Sequence, residues 1–98
     1  MTDAERDEVA EDTIREAMAG ITGAGRRPYW LNVPQAAEKL LVAKGQGTIT
    51  RPEASARIKK AIVALTNEGE LEAPMGPPPR DWKIKPKSIP PRNKIGFT

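Results

Sequence analysis

The chain has 98 residues, with 16 Lys and Arg against 13 Asp and Glu and a formal net charge of +3. This length suits one small domain with a single modest core. Because the sequence contains neither Cys nor His, it excludes thiolate nucleophiles, disulfides, Cys/His zinc sites and His-based catalytic triads.

Other features of the composition favour a binding protein over an enzyme. No apolar run approaches the ~20 residues that cross a bilayer. The acidic start, MTDAERDEVAEDT, does not resemble a signal peptide. We therefore expect a soluble cytoplasmic protein with no enzyme activity, no cofactor, no metal, no small-molecule substrate and no membrane partner.

Charge is distributed unevenly along the chain. Residues 1–20 contain seven acids and two bases, a net charge of −5, whereas residues 21–98 contain fourteen bases and six acids, a net charge of +8. A basic body with an acidic arm favours a polyanionic partner. The alternative is that the bases merely keep a small domain soluble.

The first predicted element is an acidic helix over residues 1–22. Thr2 and Glu5 have capping-box spacing. One face carries the apolar residues, which are Ala10, Ile14, Ala17, Met18 and Ile21. Because few of them are large, we expect a weakly anchored helix that frays before Val9. Its role stays open between dimerisation, mimicry of nucleic acid and shielding of the basic body.

Residues 23–31 are predicted to form a Gly-rich linker and a short extended segment, after Gly20 or Gly23 ends the helix. The stretch GITGAG lacks the spacing of a phosphate-binding loop. Residues 29–31 are expected to seed the core or to pair with a later hairpin. Trp30 is assigned to the core, with exposed stacking on a base as the alternative.

A core region is predicted over residues 32–85, beginning with a second helix. Asn32 is expected to cap this helix, with Pro34 in its first turn. Lys44 and Gly45 are expected to end it, with the glycine in a left-handed conformation.

The third helix has the clearest local signals. Thr50 and Glu53 repeat the capping-box spacing, Pro52 stands in the first turn, and Gly69 is the predicted terminator. The predicted inward stripe is Ala54, Ile58, Ala61, Ile62 and Leu65. The predicted outward face carries Ala56, Arg57, Lys59, Lys60, Val63 and Asn67.

A hairpin with a proline-rich loop is predicted after the third helix. Residues 70–73 and 82–85 alternate as half-exposed strands do. The side chains expected to face the helices are Leu71, Ala73, Trp82 and Ile84, while the lysines point to water. Residues 86–98 are predicted to form a flexible, basic, Pro-rich tail.

This order of elements resembles a winged helix-turn-helix DNA-binding domain over residues 33–85. The residues that carry the likeness are the stripe Ile58, Ile62 and Leu65, the turn at 67–69 and the strands at 70–72 and 82–84. The resemblance implies a mainly α fold with a small β-hairpin, that is, a three-helix winged-helix-like domain with a flexible basic C-terminal tail. In that family the helix before the wing enters the major groove, and the wing contacts the backbone or the minor groove.

If the third helix binds DNA, the basic side chains of this helix and of the wing are the candidate DNA ligands. Arg donates two hydrogen bonds to guanine and Lys neutralises phosphate, while helix-start amides also attract phosphate. The candidate DNA-binding residues are Thr50, Arg51, Ala56, Arg57, Lys59, Lys60, Arg80, Lys83, Lys85 and Lys87. The alternative interpretation is a solvated helix face and a solubilising tail. Val63 suits contact with a thymine methyl group or with a protein partner.

The leading functional hypothesis is a small protein that binds duplex DNA through its third helix and wing, as an accessory regulator of transcription or replication. The alternative is a winged-helix protein-interaction module, an inhibitor or assembly factor. It would bind a protein partner, or a second copy of itself, through its Pro-rich wing, tail and acidic helix. Association with RNA is a third hypothesis and rests on the basic tail.

Overall fold

The computed structural model of the protein describes residues 2–85. This part of the chain forms three helices followed by a two-stranded antiparallel hairpin. The elements are α1 (Asp3–Gly23), α2 (Val33–Gly45), α3 (Arg51–Asn67), β1 (Leu71–Glu72) and β2 (Lys83–Ile84). Leu71 pairs with Ile84, and Glu72 with Lys83. The predicted mainly α fold with a small β-hairpin is confirmed, and the order of its elements is compatible with a winged-helix-like layout. The predicted tail and Lys87 lie outside the described residues.

The core lies where the three helices meet, with the hairpin closing one side. Each helix contacts the other two, and β1 packs on α3. The buried apolar side chains are Ala10, Ile14, Ala17, Met18 and Ile21 of α1, Val33, Ala37 and Leu41 of α2, Ala54, Ile58, Ala61 and Leu65 of α3, and Leu71 and Trp82 of the hairpin. The prediction of a weakly anchored first helix was therefore wrong. Five apolar side chains of α1 are buried, so this helix is a full member of the core.

Local capping defines the starts of α1 and α3 as predicted. The Glu5 amide donates to Thr2 Oγ1 at 3.2 Å, and the Thr2 amide donates to Glu5 Oε1 at 2.9 Å, which completes the capping box. At α3, the Glu53 amide donates to Thr50 Oγ1 at 3.3 Å, but the Glu53 carboxylate accepts from Arg57, so only the N-cap half of the predicted capping box forms. These contacts satisfy amides that the first helical turn leaves without backbone partners.

Both ends of α2 are capped differently from the prediction. Asn32 holds the N-cap position, but its side chain bonds the preceding loop, accepting from the Tyr29 amide at 2.8 Å and donating to the Arg27 carbonyl at 2.6 Å. At the other end, Gln46 adopts the left-handed conformation with φ 50°. Gly45 is needed for space, because a Cβ there would lie 2.7 Å from Ile49 Cγ1.

Hydrogen bonds from Trp82 join the hairpin to the segment before α2 and hold the hairpin's own loop in place. The Trp82 amide donates to the Pro28 carbonyl at 2.7 Å, and its indole Nε1 donates to the Pro74 carbonyl at 3.0 Å. The segment before α2 thus pairs with the hairpin, at Pro28 rather than at 29–31. Trp82 is buried, and Trp30 packs partly buried against the core, so their assignment to the core is confirmed.

Candidate nucleic-acid interface

One side of α3 faces away from the core over its whole length. At 100° per residue, the positions opposite the buried stripe define what we call the outer face. Its members, all exposed, are Pro52, Ala56, Lys59, Lys60, Val63 and Asn67. Val63 is 58% exposed although it is a β-branched apolar residue. This face contains no acidic residue.

Arg57 does not lie on the outer face, and that prediction was wrong. Its side chain is only 22% exposed, and its Nε and Nη2 both donate to Glu53 Oε2, at 3.0 and 2.8 Å. Position 57 falls on the flank of α3, where α1 packs alongside. Glu53 thus accepts two hydrogen bonds from the guanidinium group that was expected to contact guanine.

Lys60 is exposed and forms an ion pair with the first helix. Its Nζ lies 3.2 Å from Asp7 Oδ2, and its side chain is 68% exposed. An ion pair this open to water contributes little to stability. A phosphate group can therefore replace Asp7 as the partner of Lys60 at low cost.

Several acids of α1 contact bases from other elements. In addition to Asp7, Glu16 lies 2.6 Å from Lys44 Nζ. Residues 2–85 contain thirteen acids and thirteen bases, so this part of the chain has no net charge, and the +3 of the whole chain comes from residues 86–98. Among the roles left open for the acidic helix, these contacts favour shielding of the basic body.

Five of the candidate bases form no ion pair within residues 2–85. They are Arg51 and Lys59 on α3 and Arg80, Lys83 and Lys85 on the hairpin, and all five are exposed. Gly69, with φ 78°, turns the chain directly from α3 into β1. Thr50, at the start of α3, is exposed, and its hydroxyl already accepts from the Glu53 amide.

A cavity that the sequence did not predict lies beside α3, with a volume of about 340 Å³. Its apolar wall includes Val9, Leu41 and Ile49, and Lys44 and Arg57 also line it. Lys44 is paired with Glu16, and Arg57 with Glu53. The i, i+4 spacing of Glu53 and Arg57 was the one sequence signal that this flank is internally paired.

Comparisons with known protein families, with curated proteins and with solved structures find no match to this chain. Within residues 2–85, none of the helices is long and apolar enough to cross a membrane. The same residues contain no group of three or more acidic side chains arranged to hold a metal ion.

Proposed function

We propose that the protein binds duplex DNA by placing the outer face of α3 in the major groove, as an accessory factor in transcription or replication. The observation that supports this most is the outer face itself, which is exposed, free of acids and small at its centre. Ala56 lets the helix backbone approach the base edges closely, while Lys59 forms no ion pair within residues 2–85. Such a surface suits a polyanion with a groove of helix width.

The hairpin supplies a second group of cations for the same partner. Lys83 and Lys85 alternate along the chain, so they project from the same side of an extended strand, and both are exposed. Arg80 stands in the loop between the strands. In the proposed complex these residues contact phosphates, which set orientation and affinity and carry no sequence information.

The internal ion pairs revise the set of DNA ligands. Arg57 is removed from it, and Lys60 joins only when phosphate displaces Asp7. The remaining candidates are Thr50, Arg51, Ala56, Lys59, Arg80, Lys83 and Lys85, with Lys87 beyond the described residues. Each Lys or Arg that neutralises a phosphate adds about −0.9 to the slope of log affinity against log salt, so this slope counts the phosphate contacts in the complex.

The test is fluorescence anisotropy on a random-sequence duplex at two salt concentrations. We expect the wild-type protein to bind at low salt and the double variant Lys59→Glu/Lys83→Glu to lose at least ten-fold in affinity. Arg26→Glu/Lys39→Glu is the control with the same charge change of four units, because Arg26 and Lys39 are exposed and lie outside α3 and the hairpin. Absence of binding at low salt, or an equal loss in the control, contradicts the proposal.

A second candidate function, binding of a protein partner, is favoured by the hairpin loop. Met75 is 69% exposed and is followed by the exposed run of prolines 77–79. Proline-rich segments bind aromatic-lined grooves at low ordering cost. Two results together would favour this function. The protein would form a stoichiometric complex that Met75→Ala weakens, and it would not bind duplex DNA. A mass determination in solution distinguishes a hetero-complex from a homodimer.

A further inference from the structure

The outer face of α3 has an apolar centre, which is unusual for a solvated helix. Val63 and Ala56 lie near its midline, and Lys59 and Lys60 stand on opposite sides of that line at 100° per residue. Both lysines and both apolar residues are exposed. A helix face of this kind offers apolar contact in the middle and positive charge at both edges.

The two apolar residues lie on the same side of α3. Ala56 and Val63 are seven residues apart, which places them two turns apart, about 10.5 Å along the helix axis. The distance of about 3.4 Å per base step is a rise along the duplex axis, whereas the major groove runs obliquely to that axis, so a helix lying along the groove covers fewer steps than this rise alone would give. Such a helix presents the two side chains to different base pairs of one site.

Thymine is the base whose major-groove edge matches an apolar side chain. Its C5-methyl group is contacted by Ala and other apolar residues, whereas guanine is contacted by Arg or Lys. The one arginine in the middle of α3, Arg57, is held on the flank by Glu53. The outer face therefore favours methyl contact at its centre and leaves Lys59 and Lys60 for the phosphates on either side.

We propose that α3 recognises the C5-methyl groups of two thymines in the same binding site, through Val63 and Ala56. This inference rests on the duplex binding proposed above and names the sequence feature that such binding selects.

The experiment compares two duplexes that differ only in methyl groups. One is rich in thymine on both strands, and the other has deoxyuridine in place of every thymine. Each contacted methyl group should contribute about four-fold in affinity, so the wild-type protein should bind the thymine duplex on the order of ten-fold more tightly. As a reciprocal measurement, 5-methylcytosine in a G·C duplex adds a methyl group at the same ring position and should strengthen binding.

Two variants assign the effect to Val63. Val63→Ala should reduce the preference for thymine over deoxyuridine to about four-fold, and it should fold, since the site is exposed and Ala favours helix. Leu31→Ala is the matched control, because Leu31 is 47% exposed but precedes α2. This control should keep the full preference.

The possible outcomes separate the inference from the proposed function. Equal binding of thymine and deoxyuridine duplexes by the wild-type protein overturns the inference and leaves duplex binding standing. An unchanged preference in Val63→Ala overturns the assignment to Val63. Binding to neither duplex overturns both proposals. If the protein binds no duplex but forms a protein complex that Val63→Ala disrupts, the outer face is assigned to protein contact. This result also overturns the inference.

Discussion

Asp7 and Lys60 join the acidic helix to the outer face of α3, with Asp7 Oδ2 lying 3.2 Å from Lys60 Nζ. The same ammonium group is a candidate phosphate ligand in the proposed complex. Asp7 and a DNA phosphate therefore compete for Lys60. The first helix consequently has two roles. Its apolar side completes the core, and its acidic residues Asp7 and Glu16 form ion pairs with Lys60 and Lys44.

We expect Asp7→Asn to strengthen duplex binding and to steepen its salt dependence. The change frees Lys60 for one more phosphate contact, which should increase the log–log salt slope by about 0.9 in magnitude. Anisotropy titrations over a range of salt measure this slope. Glu8→Gln is the control, since Glu8 is exposed and has no ion pair within residues 2–85. An identical slope in Asp7→Asn and wild type would show that Lys60 does not meet phosphate.

Arg15→Ala is expected to destabilise the fold by about 2 kcal/mol, because it leaves a largely buried carboxylate without its guanidinium partner. Arg15 Nε and Nη2 donate to the two carboxylate oxygens of Glu70 at 2.7 and 3.0 Å, and the Glu70 side chain is 9% exposed. This contact with Glu70 raises the pKa of Arg15. Urea unfolding measures the loss. Adding Glu70→Gln to Arg15→Ala should recover part of it, whereas full additivity of the two changes would contradict a direct coupling.

Two glycine substitutions are expected to act in opposite directions. In Gly45→Ala the new Cβ would lie 2.7 Å from Ile49 Cγ1 and 2.9 Å from its Cβ. Relieving that overlap moves backbone, so we expect a loss of about 1–3 kcal/mol. In Gly20→Ala the new Cβ meets nothing within 4 Å, and the helix should gain about 0.5–1 kcal/mol. Thermal unfolding compares them, and equal effects would contradict the close approach of Ile49.

The start of α1 should depend on pH through Glu5. Hydrogen bonds from the Thr2 backbone and side chain lower the pKa of Glu5 below its ordinary value of 4.5. A lowered pKa in the folded protein means that the stabilisation is present above the ordinary value and is lost as the pH falls through the lowered one. Thr2→Ala should raise the pKa of Glu5 only part of the way towards normal, because the Thr2 amide, which contributes most to the lowering, remains. NMR titration of the Glu5 carboxyl group measures this change. Glu5→Gln should remove this pH dependence, and a Glu5 pKa at its ordinary value in the wild-type protein would contradict the capping box.

Much of α3 could be predicted because its signals are local. Thr50 caps Glu53 three residues away, and the buried side chains recur at Ala54, Ile58, Ala61 and Leu65. The hairpin followed from strand alternation, which placed Leu71 and Trp82 inside. The candidate site was only partly predictable. Helical spacing placed Lys59 and Val63 correctly on the outer face, but the position of the flank residue Arg57 depended on which neighbouring helix packs beside it.

The positions of α2 and α3, the inward stripe of α3 and the chemistry excluded by the lack of Cys and His could all be predicted from the amino-acid sequence. These properties depend on composition and on interactions within about one helical turn. The packing of the helices was needed to show that α1 belongs to the core and that its acids meet Lys44 and Lys60. Ion pairs between residues distant in the chain depend on how the helices pack, and packing sums many weak contacts that no local pattern encodes.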